Sequence, residues 1–287
     1  MDWARIGDWP LSEMSRQING PVHRWHAQQN GEGPTLLLLH GAGGSTHSYR
    51  DLVPLLTPSH LVVTLDLPGH GFTKLGARQR SGLDAMSKDV ARLCVQEGWK
   101  PDAIIGHSAG AAVALQMALD VADQGHTPPH VIGLNAALGE FPGLAGLIFP
   151  LMAKALAAMP FATTLFSTTS SNPNRIKSLI ASTGSELDAT GYDLYRQLVA
   201  DKNHVDGTLK MMAQWDLRPL LRALPRYEGP VDLITGSKDA TVPPSVSEGI
   251  AAQMPNATLH PVDGLGHLLP EEQPQAMARL ILSILNR

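Results

Sequence analysis

Short uninterrupted apolar runs alternate along this chain with stretches whose apolar residues recur every three to four positions. Thr35–Leu39 (TLLLL), Leu61–Leu65 (LVVTL), Ala103–Ile105, His130–Leu134 (HVIGL) and Val231–Thr235 (VDLIT) are continuous rather than alternating, the pattern of parallel strands buried on both faces. Val22–Gln28 and Ala257–Val262 read as further strands. Helical spacing is expected over Ser48–Leu56, Leu83–Glu97, Ala109–Asp123, Pro244–Met254 and Pro270–Leu285; in the last two, a proline stands in the first turn, where its missing N–H costs nothing. Strand–helix alternation of this kind predicts an α/β fold, a mostly parallel central sheet flanked by helices.

The alternation stops between Leu138 and Arg226, where helices are expected at Leu144–Ala158, Pro173–Thr183, Leu187–Ala200 and Val205–Gln214 and no strand is evident. The expected organisation is a core of residues 1–137 and 227–287 interrupted by a helical cap, 138–226, with a substrate pocket beneath it. The segment PGLAGLIFPLMAKALAAMPF (142–161) suits an apolar cap over that pocket; its second reading is a patch lying peripherally in a membrane interface. Prolines interrupt every long uncharged stretch, so no spanning helix is expected.

Composition narrows the function classes. Of 287 residues, 43% are apolar and 17% charged, ordinary for a globular protein. A net charge of −4 without a lysine or arginine run argues against a nucleic-acid partner. The lone Cys94 falls in a helical pattern and reads as core filler, and the N-terminus lacks the apolar stretch of a signal peptide, so a cytoplasmic location is expected. The three tryptophans near the N-terminus, Trp3, Trp9 and Trp25, are expected to pack.

The strand ending at Ile105 runs into Gly106-His107-Ser108-Ala109-Gly110 and then a helix. That context forces a serine Oγ out at the carboxyl end of the sheet on a turn whose crowding demands the flanking glycines. Serine needs a base, and His267, in Gly264-Leu265-Gly266-His267 after the last strand, falls at the same sheet edge. The base needs a carboxylate to fix its tautomer, and Asp239 in LITGSKDATVPP follows a buried strand. Asp66 (in DLPGHG) and Glu140 compete for that role, Asp66 suiting a turn better because it precedes the serine. His40, His70 and His107 are read as structural or pocket-lining. The N–H of Ala109 and, from the loop His40-Gly41-Ala42-Gly43-Gly44, that of Ala42 (or else Gly43) are the expected oxyanion donors. This loop lacks the lysine of a phosphate cradle, and no cofactor or metal is expected.

The motifs HGAGGS (40–45), DLPGHG (66–71), GHSAG (106–110), GSKDATVP (236–243) and GLGHL (264–268) resemble the α/β-hydrolase fold over nearly the whole chain. Serine at the elbow argues against the epoxide hydrolases and haloalkane dehalogenases of that fold. Together with RWHAQ (24–28), LNAALGEFPGLAGLIFP (134–150) and MMAQWDLRPLLRALP (211–225), these motifs resemble the magnesium chelatase accessory proteins of bacteriochlorophyll biosynthesis. What the resemblance implies is a role near magnesium insertion into a porphyrin, with chelatase subunits as partners. Three readings follow: a serine hydrolase cleaving an apolar ester or thioester, of a tetrapyrrole-related or a lipid-like molecule; a non-catalytic protein that binds a tetrapyrrole or contacts the chelatase; and a carbon–carbon bond hydrolase using the same three residues.

Overall fold

A computed structural model describes residues 1–139 and 172–287. The expected helix Leu144–Ala158, the apolar segment around it and Glu140 lie outside the described residues.

Eight strands form one sheet: β1 (Ser15–Asn19), β2 (Arg24–Asn30), β3 (Thr35–Leu39), β4 (Leu61–Leu65), β5 (Pro101–His107), β6 (His130–Leu134), β7 (Val231–Gly236) and β8 (Ala257–Val262). Their order is β1-β2-β4-β3-β5-β6-β7-β8, with β1 and β2 antiparallel to their neighbours and the other pairings parallel. Along β3 the residues divide by parity. Leu37 and Leu39 pack against α2 (Leu83–Glu97) and α3 (Ala109–Asp123), whereas Leu36 and Leu38 pack toward α1 (Val53–Leu56) and the C-terminal helix. Both faces are covered, which is why these strands read as unbroken apolar runs. Burying each such leucine contributes about 1.5–3 kcal/mol. Cys94 and Trp25 are part of the first of these clusters, and Trp9 packs with Phe72 and Leu198.

Over the described residues, β6 and β7 are separated by α4 (Pro173–Ala181), α5 (Ala189–Ala200), α6 (Lys202–Gln214) and α7 (Arg218–Ala223), a helical insertion; α8 (Pro244–Ala251), α9 (Leu269–Glu272) and α10 (Pro274–Leu285) follow β7. None of these helices is long and apolar enough to cross a membrane.

Two expected helices are corrected. Pro270–Leu285 is α9 and α10 with a break at Gln273, whose φ of −140° and ψ of 64° leave the helical region. The pyrrolidine ring of Pro274 disfavours the α conformation in the residue before it. Ser48–Leu56 is a 3₁₀ turn, Thr46–Tyr49, followed by α1, because Pro54 has no N–H to continue an α ladder. The hairpin strand β1 and the N-terminal 3₁₀ helix Trp3–Asp8 carry too little apolar periodicity to have been read from sequence.

Candidate active site

β3 is flanked by β4 on one side and β5 on the other, so the chain leaves it toward one edge of the sheet and later returns toward the other. Loops at the carboxyl ends of β3 and β5 therefore meet at a switch point, where open α/β sheets place their ligand crevices. Ser108 sits there, between β5 and α3, at φ 51° and ψ −118°, outside the comfortable regions for a side-chain-bearing residue. Neighbouring backbone imposes this turn. A Cβ at Gly106 would lie 2.4 Å from the Gly110 carbonyl oxygen, and one at Gly110 would lie 2.1 Å from that of Leu39. Ser108 N–H donates to the Leu134 carbonyl (2.9 Å), pinning the turn to β6.

The loops that carry Asp239 and His267 come together at the same edge. Asp239 Oδ2 accepts from His267 Nδ1 at 2.7 Å, and its Oδ1 accepts from the N–H groups of Thr241 and Val242, both at 2.8 Å. The carboxylate is thus fixed by its own loop and fixes in turn the tautomer that leaves His267 Nε2 without a proton. Both residues are buried, as is Ser108. No Ser108–His267 hydrogen bond is formed in this structure; such contacts commonly tighten only with substrate in place. The loop after β3 abuts the serine: a Cβ on Gly41 would lie 2.9 Å from Ser108 Cβ. Among the described residues, no hydrogen bond occupies the N–H of Ala42 or of Ala109, the first residue of α3.

The remaining histidine readings resolve by tautomer, assigned from the hydrogen-bond network. His107 Nε2 donates to the His267 carbonyl (2.8 Å), and burial holds its imidazole down to about 3, so the ring is a neutral strut beneath His267. His40 Nδ1 donates to the Gly41 carbonyl (2.7 Å) and its Nε2 accepts from Leu67 N–H (2.9 Å); burial lowers its pKa as well. His70 donates through Nδ1 to the Pro68 carbonyl, and burial takes it to about 3. Asp66 is a turn anchor. It accepts from His26 Nδ1 and from the N–H groups of Thr46 and Phe72; burial opposes its charge, but these partners outweigh burial and hold the carboxyl well below the usual range.

Three contributors escaped the sequence reading. Asn135, buried at the end of β6 with φ 46°, donates through Nδ2 to the carbonyls of Gly266 (2.8 Å) and His267 (2.9 Å) and accepts from Gly236 N–H (2.8 Å). One amide therefore ties the strand beside Ser108 to the loop that carries His267 and to the end of β7. Its only signal was an asparagine, tolerant of positive φ, following a buried strand. The second is the cap segment 183–185. The Thr183 carbonyl accepts from Ala240 and His267 N–H (both 3.2 Å), and Ser185 Oγ accepts from Leu268 N–H and donates to Glu272, which accepts from Gly266 N–H. The third is His204 on α6, whose Nε2 lies 3.1 Å from the Gly43 carbonyl. A cleft of about 490 Å³ lined by Trp9, Pro10, Thr190 and Leu194 touches none of the expected site residues.

A family model for the alpha/beta hydrolase fold matches residues 34–274. The "Magnesium-chelatase 30 kDa subunit" of Rhodobacter capsulatus is 46% identical, covering 97% of each chain. The "Pimeloyl-[acyl-carrier protein] methyl ester esterase" of Methylococcus capsulatus is 27% identical, covering 88% of this chain and 95% of its own. Among solved structures, an alpha/beta hydrolase fold protein from Burkholderia ambifaria superposes with a TM-score of 0.77 at 22% identity, covering 94% of this chain and 97% of that one, a likeness of fold.

Proposed function

The chain belongs to the α/β-hydrolase fold family, and on that premise we propose that it is a serine hydrolase of an apolar ester or thioester, serving magnesium chelatase in bacteriochlorophyll synthesis. The observation that carries the chemistry is the 2.7 Å contact between Asp239 and His267 at the sheet edge that presents Ser108. The pathway rests on the relative that bears the chelatase-subunit name.

In this reading His267 Nε2 takes the Ser108 Oγ proton as the oxygen attacks the acyl carbon. The oxyanion is met by the N–H groups of Ala109, at the positive end of α3, and Ala42, removal of either being worth about 3–4 kcal/mol. Asp239 steadies the imidazolium, which returns its proton to the departing alcohol or thiol. Water then repeats the sequence on the acyl-enzyme, releasing an acid and restoring the serine.

The test is labelling with a fluorophosphonate and hydrolysis of p-nitrophenyl esters of increasing chain length. Wild type is expected to take up one label per chain and Ser108→Ala none, with turnover falling by at least about 10³-fold. A folded wild type that neither labels nor hydrolyses any ester overturns the reading. The relative's name supports a second reading, a chelatase partner that uses the pocket for binding; full pigment synthesis in cells carrying Ser108→Ala would select it.

A further inference from the structure

We propose that His204, on cap helix α6, is a positioning residue that fixes the oxyanion loop, so that the orientation of the Ala42 N–H depends on how the cap is docked. The inference rests on the reading of Ser108 as a nucleophile.

In a trans peptide unit the N–H points opposite to the carbonyl before it, so fixing a carbonyl fixes the next N–H. The Gly41 carbonyl, in one plane with Ala42 N–H, accepts from His40 Nδ1 (2.7 Å) and from Gly44 N–H (3.0 Å). The Gly44 N–H shares its own plane with the Gly43 carbonyl, and that carbonyl is held by His204 Nε2 at 3.1 Å. His204 therefore orients the Gly43–Gly44 peptide, whose N–H braces Gly41, whose plane carries the Ala42 donor. Gly43 at φ +77° lies where the backbone has many alternatives, so the Gly43–Gly44 peptide takes its orientation from a partner outside the loop, while His40 holds the Gly41 carbonyl from within it.

His204 is itself constrained. Its Nδ1 accepts from Gly71 N–H at 3.0 Å, which leaves the proton on Nε2 to donate to Gly43, and its ring stands edge-on to His70 at 5.4 Å. It is 2% exposed, and α6 is seated by the Asp201 side chain, which caps the N–H groups of Asn203 and His204. A residue present only for packing gains nothing from two ring nitrogens that must each be satisfied when buried. Both nitrogens of His204 are spent on backbone, one on Gly43 in the loop after β3 and one on Gly71 in the loop after β4.

The test compares full-length wild type with His204→Phe, which keeps the ring and loses both nitrogens, and His204→Gln, which carries an amide donor toward Gly43. Esterase kinetics and the rate of fluorophosphonate inactivation are read alongside the thermal midpoint. We expect kcat and the inactivation rate to fall by about 10-fold or more in His204→Phe with KM within about 2-fold, and His204→Gln to recover part of the loss. A folded His204→Phe that inactivates at the wild-type rate, or a loss confined to KM, overturns the inference. If that variant does not fold, His204→Asn keeps an acceptor for Gly71, while its shorter amide places no donor where Nε2 reaches the Gly43 carbonyl; lowered kcat supports the proposal and wild-type kcat overturns it. Wild type that takes no label fells the reading of Ser108 and this inference with it, whereas labelled wild type with an unaffected variant fells this inference alone.

Discussion

A serine held at φ 51° and ψ −118° stores backbone strain that glycine does not feel. Replacing Ser108 by glycine should therefore give a more stable protein than replacing it by alanine, by on the order of 1 kcal/mol, although glycine ordinarily loses more entropy on folding. Urea unfolding of the two variants checks this; equal midpoints, or a more stable alanine variant, would show that the elbow holds no strain at this residue. The same geometry explains what could be read beforehand. Gly106, Ser108 and Gly110 announce themselves because crowding restricts what fits, and the contact between Asp239 and His267 is legible because each follows a strand at the same sheet edge. Asn135, Ser185 and His204 were not legible. They act on backbone carbonyls and amides brought from strands and loops far away in sequence, and nothing in local spacing marks such a partner.

At the scale of elements, continuous apolar runs predicted the central strands well because both faces of the sheet are covered, whereas the edge hairpin β1, polar at most positions, gave no such signal. Helix ends were misjudged where proline acts through the residue before it, as at Gln273. The seating of α6 against the loop after β4 had no sequence signal either. It depends on two glycines in contact: a Cβ on Gly69 would lie 2.8 Å from the Gly207 Cα, and one on Gly207 would lie 2.1 Å from the Gly69 carbonyl oxygen. Gly207→Val should lift this helix, destabilise the fold by about 1–3 kcal/mol and slow fluorophosphonate labelling, since His204 rides on the same helix. Thermal unfolding and labelling rates measure the two effects separately; a variant of wild-type stability and wild-type labelling rate would mean that the helix does not bear on the loop.

Considered as a whole, the molecule buries neutral imidazoles whose burial disfavours a proton, those of His40, His47, His70, His107 and His204. Burial takes His70 and His107 to about 3, and lowers His40, His47 and His204 as well. For each, the folded state refuses a proton that the unfolded chain accepts below about pH 6.5, so stability is fully present above that pH and is lost as pH falls toward the folded values, by up to about 1.4 kcal/mol per pH unit and group. Asp66, held low by His26 and two backbone N–H groups, adds a loss of the same sign below about pH 4. The urea midpoint should therefore hold above about pH 6.5 and drop steadily from there to about pH 5, and a midpoint constant over that lower window would contradict the buried neutral assignments. One further consequence concerns the exchange of caps between relatives. Because His204 and Gly207 lie three residues apart on one buried face, a transplanted cap brings with it part of the support of the loop after β3. A chimera whose incoming helix lacks the His-x-x-Gly spacing would inherit a new specificity together with a loosened site, and restoring those two residues should recover turnover without reverting the choice of substrate.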